Sequence, residues 1–287
     1  MSVDPSAPVR SPGQPDQRRR GADWIEFVPG GIRRVVVDVG QIAQLFSRLV
    51  VGVVRNPRGF WGASFEEMYA MLRFAWIPVL LSTGGFSFAI GTFGYDLLRV
   101  VGAGNRVGTF FVMAGPREIA PYTVAMAIAG VMGTSLTADL GARKVREELD
   151  ALEVLGVDPE RTLVLPRVVA MTMMVFGFNL VGVAAVVVMA GVATTIIGST
   201  SIASYIAGFF TIMNMTDLVG TVLKSILLGL MIGIVCAAKG LSVKGGAEGV
   251  GRAVNQAVVL CFAWVWIITF TFNSIMLGLN PNMAVTR

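Results

Sequence analysis

Five stretches of this chain, at about 73–98, 107–138, 166–197, 218–238 and 254–279, each run for more than twenty residues with no more than two charged side chains. An α-helix of roughly 20 apolar residues spans the ~30 Å hydrocarbon core of a bilayer. Helices also satisfy their own backbone hydrogen bonds, which lipid cannot do for them. The composition agrees. Of the 287 residues, 54% are hydrophobic and only 14% charged, against roughly 25% charged in soluble domains. A large soluble protein with a buried core is disfavoured, and an all-α integral membrane protein is expected.

The chain has no histidine. That removes the commonest general base, the Ser-His and Cys-His pairs and histidine metal sites, so no catalytic or metal residues are assigned. Cys236 and Cys261 lie in apolar runs without CxxC spacing and read as small apolar residues rather than a disulfide or zinc site. The net charge of +5 does not point to nucleic acid, because the basic residues flank apolar spans and so bear on membrane orientation.

Residues 1–22 are rich in Pro, Ser, Gln and Arg and are expected to form a disordered tail. No apolar region closely follows Arg18, Arg19 and Arg20, so no signal peptide is expected there. Residues 31–55 are apolar but interrupted by Arg33, Arg34, Asp38, Gln41 and Arg48, while Val35, Val39, Ile42, Leu45, Phe46 and Leu49 fall near helical spacing. A helix lying in the membrane interface is the preferred reading of the region 31–72; a soluble amphipathic helix packed on the domain is the alternative. In the first span, Gly84, Gly85 and Gly91 would allow close helix approach. Residues 198–217 mix Ser, Thr and Asn with aromatics and suggest a short helix outside the membrane.

Five spans put the two ends on opposite sides. Arg10, Arg18, Arg19, Arg20, Arg33, Arg34, Arg48, Arg55, Arg58 and Arg73 precede or open the first span. Arg143, Lys144, Arg146, Arg161 and Arg167 surround the link after the second, and Lys239, Lys244 and Arg252 the link before the fifth. The other side has Arg99, Arg106 and Arg287. The positive-inside rule therefore predicts a cytoplasmic N-terminus and a C-terminus outside.

The cytoplasmic link at 139–161, DLGARKVREELDALEVLGVDPER, is a dense charged block between apolar runs. As a helix from about Arg143 it would place Val145, Leu149, Leu152 and Leu155 on one side, with Gly156 as a helix stop and Asp158-Pro159 as a turn. Spacing alone leaves open whether that helix docks on a partner or only on this chain. Arg117 and Glu118 sit inside the second span, where ionisable residues usually face a bundle interior or polar cavity. Pro116 and Pro121 would interrupt backbone bonding there. The group Arg117, Glu118 and Pro121 reads either as a polar patch on a substrate path or as an Arg-Glu pair that fixes packing. Lys224, inside the fourth span, is expected to snorkel to the outer interface, with a cavity role as the alternative. Asp217 suits the positive end of the helix it begins. The loop GLSVKGGAEGVGR is glycine-rich, but GxxxxGK[ST] occurs nowhere in the chain. No nucleotide or other cofactor is expected on this chain, and the loop reads as a tight turn before the fifth span.

Two long motifs carry a resemblance: REIAPYTVAMAIAGVMGTSLTADLGARKVREELDALEVLGVDPERTLVLPRVVA at 117–170 and KGLSVKGGAEGVGRAVNQAVV at 239–259. Through them, and over residues 31–280 as a whole, the chain resembles the MlaE/YrbE-type permeases of lipid-transporting ABC systems associated with Mce proteins. The resemblance implies an N-terminal interfacial helix, five transmembrane helices and a cytoplasmic coupling helix. It implies pairing with a second permease subunit, identical or paralogous, and a separate cytoplasmic ABC ATPase dimer that holds ATP. It also implies Mce substrate-binding proteins on the far side and a lipid or other hydrophobic substrate. Glu147, Glu148, Leu149, Leu152, Glu153 and Leu155 would then couple to the ATPase. Arg117 and Glu118 match the family's Arg-Glu at the break in the second span, near the lipid path. The Pro/Arg tail and the first span lie outside the dense motifs.

Two other classes remain open on residues alone. An ion-coupled secondary transporter would need carboxylates in its spans, for which Glu118 is the candidate, and inverted repeats. A membrane-embedded lipid-modifying enzyme would have to rely on carboxylates, with no histidine to serve as base.

Overall fold

The computed structural model describes residues 30–55, 59–198 and 200–279. Residues 1–22 lie outside that set. Among the described residues every regular element is helical. The chain divides into two compact units, Met1–Gln44 and Leu45–Arg287. The described part of the first is the opening of α1 (Gly30–Arg55), where Val36, Val37 and Val39 are exposed. The second unit holds the rest of α1 and everything that follows.

Within the second unit, the end of α1 buries Leu45 and Leu49, and Arg48 pairs with Glu160 at 2.6 Å. Next comes α2 (Trp61–Val100), 40 residues long, or about 60 Å at 1.5 Å per residue, twice the hydrocarbon thickness. It begins at Trp61 rather than near Arg73. Residues 61–72, assigned from sequence to the interfacial region, therefore continue the first long helix.

The second span corrects the expected interruption. It is built from α3 (Val107–Ala114), a π-helical turn Gly115–Ile119, α4 (Ala120–Ile128), a second π turn Ala129–Gly133, and α5 (Thr134–Val145). These join end to end despite Pro116 and Pro121. The reason is local: a π turn carries its hydrogen bonds five residues back, and the N–H of Ala120 reaches the carbonyl of Gly115.

The charged link holds α6 (Glu148–Val154). A π turn, Glu160–Val164, then leads into α7 (Leu165–Ile196). The short helix expected at 198–217 is α8 (Ile202–Ile212). Its Tyr205 and Phe209 are buried, and the Tyr205 hydroxyl donates to Val187 O of α7 at 3.0 Å. The last two spans are α9 (Met215–Leu241) and α10 (Gly246–Leu279). Their link is far shorter than the expected loop at 239–252. Gly245 and Gly246, at φ +90° and +70°, make the turn in a conformation that costs side-chain-bearing residues roughly 1–2 kcal/mol.

Among the described residues, six helical stretches are long and apolar enough to cross a membrane: the five expected and Val36–Val54 of α1. Without a hydrophobic drive between helices in lipid, close contact needs small residues. Gly91 of α2 supplies one; a Cβ there would stand 2.8 Å from that of Ala193. Gly84 makes ordinary contact and Gly85 faces open space. Helices α9 and α7 also approach closely, where a Cβ on Gly229 would lie 2.8 Å from Thr172 Cα. Cys236 and Cys261 join α9 to α10 as buried free thiols 3.6 Å apart. Large apolar side chains such as Phe74 and Leu81 of α2 and Trp266 and Phe270 of α10 remain exposed, the surface a bilayer would cover.

Candidate functional site

Two polar sites stand at opposite ends of the helices. The first is a cavity of about 380 Å³ where α3 passes into the π turn, α9 begins and α10 ends. The start of α9 is fixed by a capping box. The Asn214 side chain accepts from the backbone of Asp217, and the Asp217 carboxylate accepts from the N–H of Asn214 at 3.1 Å. That box turns the other oxygen of Asp217 toward Arg117, whose Nε donates to it at 2.6 Å. Asp217 is 1% exposed.

Lys224, two turns further along α9, is 2% exposed. It does not snorkel outward, as expected from its distance to the helix end. Its ammonium donates to Arg117 O at 2.5 Å and to Asn273 Oδ1 at 2.5 Å, and stands 3.8 Å from Glu118 and 5.6 Å from the Phe272 ring centroid. Asn273 Nδ2 donates to Glu118 Oε1. The two cations thus face two carboxylates, and buried charges so matched avoid the cost of an unpaired ion. The remaining wall is mostly apolar, from Met113, Phe270, Phe272, Met276 and Leu277, with the hydroxyls of Thr221 and Ser274 among them. Such a cavity suits a molecule with a polar end and an apolar body.

Of the four residues assigned from sequence to this region, Arg117, Glu118 and Lys224 line the cavity, while Pro121 is buried and does not. Arg117 and Glu118 each reach partners about a hundred or more positions away, on α9 and α10. Asn273 went unremarked in the sequence, although an asparagine toward the end of an otherwise apolar span is itself a signal. Asn179, also buried in a span, donates to Thr221 Oγ1 at 3.1 Å, just below the cavity wall.

The second site is the charged link. The helix expected to run unbroken from about Arg143 is divided. α5 ends at Val145, and Glu147 takes a left-handed conformation (φ 59°) before α6. Ion pairs bind the pieces: Lys144 to Asp150 at 2.6 Å, Arg146 to Glu148 at 2.6 Å, and Arg143 to Glu148 at 3.7 Å. The hydrogen bond from Arg146 holds the Glu148 carboxyl below the usual carboxylate range. The break also splits the anticipated apolar face. Leu149 is buried and Leu152 half-buried, but Val145 belongs to α5, and Leu155 is 76% exposed beside Val154 at 88%. Gly156 does stop the helix, at φ +77°. Its N–H bonds Glu153 O, and that of Val157 bonds Leu152 O, the paired closure of a Schellman motif. Glu147, Glu148, Glu153 and Leu155 therefore surround an exposed knob anchored by Leu149.

Arg167, at the start of α7, ties this end together. It donates to Glu67 of α2 at 2.9 Å and lies 2.7 Å from Asp139 of α5.

Comparison with known proteins follows the same residues. The family described as Permease MlaE matches residues 64–275, which include the charged link and every charged residue of the cavity. A probable ABC transporter permease protein of Rickettsia typhi is 29% identical over 223 residues, covering 76% of this chain and 84% of that protein. One from Synechocystis sp. is 34% identical over 180 residues, 61% of this chain and 66% of that protein. The Arabidopsis thaliana chloroplast protein named trigalactosyldiacylglycerol 1 is 28% identical over 174 residues, 61% of this chain and 50% of that protein.

Proposed function

The chain belongs to the MlaE permease family, and from that premise we propose that it is the membrane half of an ATP-driven lipid transporter. It is a non-catalytic ABC permease subunit, like the relatives named as permeases. ATP is bound and hydrolysed on a separate ATPase dimer. The permease pairs with a second permease subunit, identical or paralogous, and receives its cargo from Mce substrate-binding proteins. It lies in a bacterial inner membrane with its N-terminus in the cytoplasm and its C-terminus outside. The direction is import.

One observation carries this reading. The exposed charged knob at 147–155 and the ion-paired cavity at Arg117, Glu118 and Lys224 lie at opposite ends of the same helices. ATP binding draws the ATPase subunits together and displaces the knob. α5 and α7 carry the displacement through the membrane, and the cavity changes its fit for a lipid. The ATPase must bind the two arrangements of the knob unequally for this to work. A lipid cargo suits the cavity, whose charged wall faces apolar side chains. One relative's name, trigalactosyldiacylglycerol 1, is that of a glycolipid.

The test is the composition of the complex purified from native membranes, by mass spectrometry. A nucleotide-binding subunit and bound lipid are expected. A complex lacking any ATPase, with transport driven by an ion gradient, would favour the secondary-transporter class, with Glu118 as its carboxylate.

A further inference from the structure

Another cavity, of about 300 Å³, lies where the end of α1 meets the exit of the charged link. Arg48 of α1 and Asp158, Glu160 and Arg161 of the link give it four charges, while Val51 and Leu165 supply apolar wall.

The four charges cancel in number but not in hydrogen bonding. Glu160 Oε1 accepts from Arg48 Nη1 at 2.6 Å. Asp158 Oδ1 turns back on its own chain and accepts from the N–H of Glu160 at 3.0 Å and that of Arg161 at 3.4 Å, a local closure common for aspartate in turns. Both carboxylates are thus engaged within the protein. A guanidinium carries five N–H donors. Arg48 gives one of its five to Glu160. The half-buried Arg161 side chain makes no hydrogen bond or ion pair among the described residues. Donors are therefore in excess around the cavity, and an anion would satisfy them. The planar guanidinium fork matches two oxygens of a phosphate.

The apolar side of the cavity argues for a phosphate carried by a lipid. Val51 is 48% exposed, and Val54, three residues on and so on the same helix face, is 76% exposed. Both belong to the apolar stretch Val36–Val54. By the positive-inside rule this end of the helices faces the cytoplasm, where basic pockets between helices take anionic headgroups. We propose that the cavity holds the phosphate headgroup of an anionic phospholipid of the cytoplasmic leaflet, gripped by Arg161 and Arg48, with an acyl chain laid along Val51 and Val54. This lipid is resident rather than cargo. Its site lies at the other end of the helices from Arg117 and Glu118 and does not depend on the transport reading. Its headgroup ties the end of α1 to the link that carries the exposed knob.

The test is lipid selectivity. The complex purified in neutral detergent is titrated with phosphatidylglycerol bearing a fluorescent acyl chain, and with phosphatidylcholine bearing the same label. Wild type should hold phosphatidylglycerol about tenfold more tightly. Arg161→Gln should remove most of that preference at an unchanged melting temperature. Arg161→Lys keeps the charge but not the fork and should fall between. Arg252→Gln removes another guanidinium, one paired with Glu248 outside the cavity, and should leave the preference intact.

Equal affinity of the wild type for the two lipids would overturn the proposal. So would equal losses in Arg161→Gln and Arg252→Gln, which would reduce the effect to surface charge. An Arg161→Gln complex that fails to assemble would also overturn it, since Arg161 would then serve the fold. Inorganic phosphate separates a headgroup from a free anion. It should compete only weakly, lacking the apolar contacts. Phosphate that displaces the labelled lipid as well as unlabelled phosphatidylglycerol does would make the site one for the free anion and sink the lipid assignment.

Discussion

Arg167 and Asp139 meet at 2.7 Å where α7 and α5 emerge beside the charged link. The same guanidinium holds Glu67 of α2 at 2.9 Å, and its side chain is only 12% exposed. Asp139 in turn accepts from Arg143, which lies 3.7 Å from Glu148 of α6. A line of alternating charge therefore connects the exposed knob to two membrane-spanning helices.

Arg167→Met should cut that line without unfolding the chain, because Glu67 and Asp139 are exposed enough to be hydrated. ATPase binding is expected to persist while lipid moved per ATP hydrolysed falls about tenfold, a common size for coupling between sites. An unchanged transport-to-hydrolysis ratio would remove Arg167 from the path.

Asp217→Asn should act mainly on stability. The variant keeps the size of the capping side chain but leaves Arg117 facing a neutral partner in a buried site. Removing one partner of a buried ion pair costs roughly 3–5 kcal/mol, and the neighbouring Glu118 should reduce that loss toward the lower figure. Thermal unfolding in detergent measures it. A melting temperature equal to wild type would mean the pair contributes no stability.

Leu155→Asp tests the knob. Leu155 is 76% exposed and makes little of the fold's core, so the melting temperature should not move. Recovery of the ATPase with the tagged permease should drop at least tenfold. Full recovery would place the ATPase elsewhere. Leu149→Asp is the contrasting case: at 3% exposure, its loss should unfold the link itself.

Glu147 holds a left-handed backbone that glycine adopts freely. Glu147→Gly should stabilise the link by about 1 kcal/mol, and Glu147→Val should destabilise it by at least as much. Hydrogen exchange across 144–155 is the measurement. Faster exchange in the glycine variant than in the valine variant would contradict it.

What the sequence made legible follows from the range of the forces involved. The long apolar helices were readable because hydropathy is local and lipid rewards it over every turn. The stop at Gly156 was readable because glycine carries its own conformational signal. The break at Glu147 was not, since Val145 and Leu149 continue the helical spacing across it and glutamate gives no hint of a positive φ. The unbroken second span was hidden for a different reason. Pro116 and Pro121 argue locally for an interruption, and nothing in their spacing announces the π turn at Gly115–Ile119 that carries the helix past them. Lys224 was misjudged because its partners lie far away in the sequence. Distance from a helix end suggested snorkelling, whereas Arg117 O and Asn273 hold it inward.

The contact at Gly229 bears on how force crosses the membrane. There α9 rests on the α7 backbone at Thr172, and Gly233 repeats the contact against Val168. With backbone so close to backbone at both points, the two helices should move as one body. One end carries Arg167, at the charged node; the other carries Lys224, under the cavity. A displacement at the node would then be felt at the carbonyl of Arg117, which Lys224 contacts at 2.5 Å.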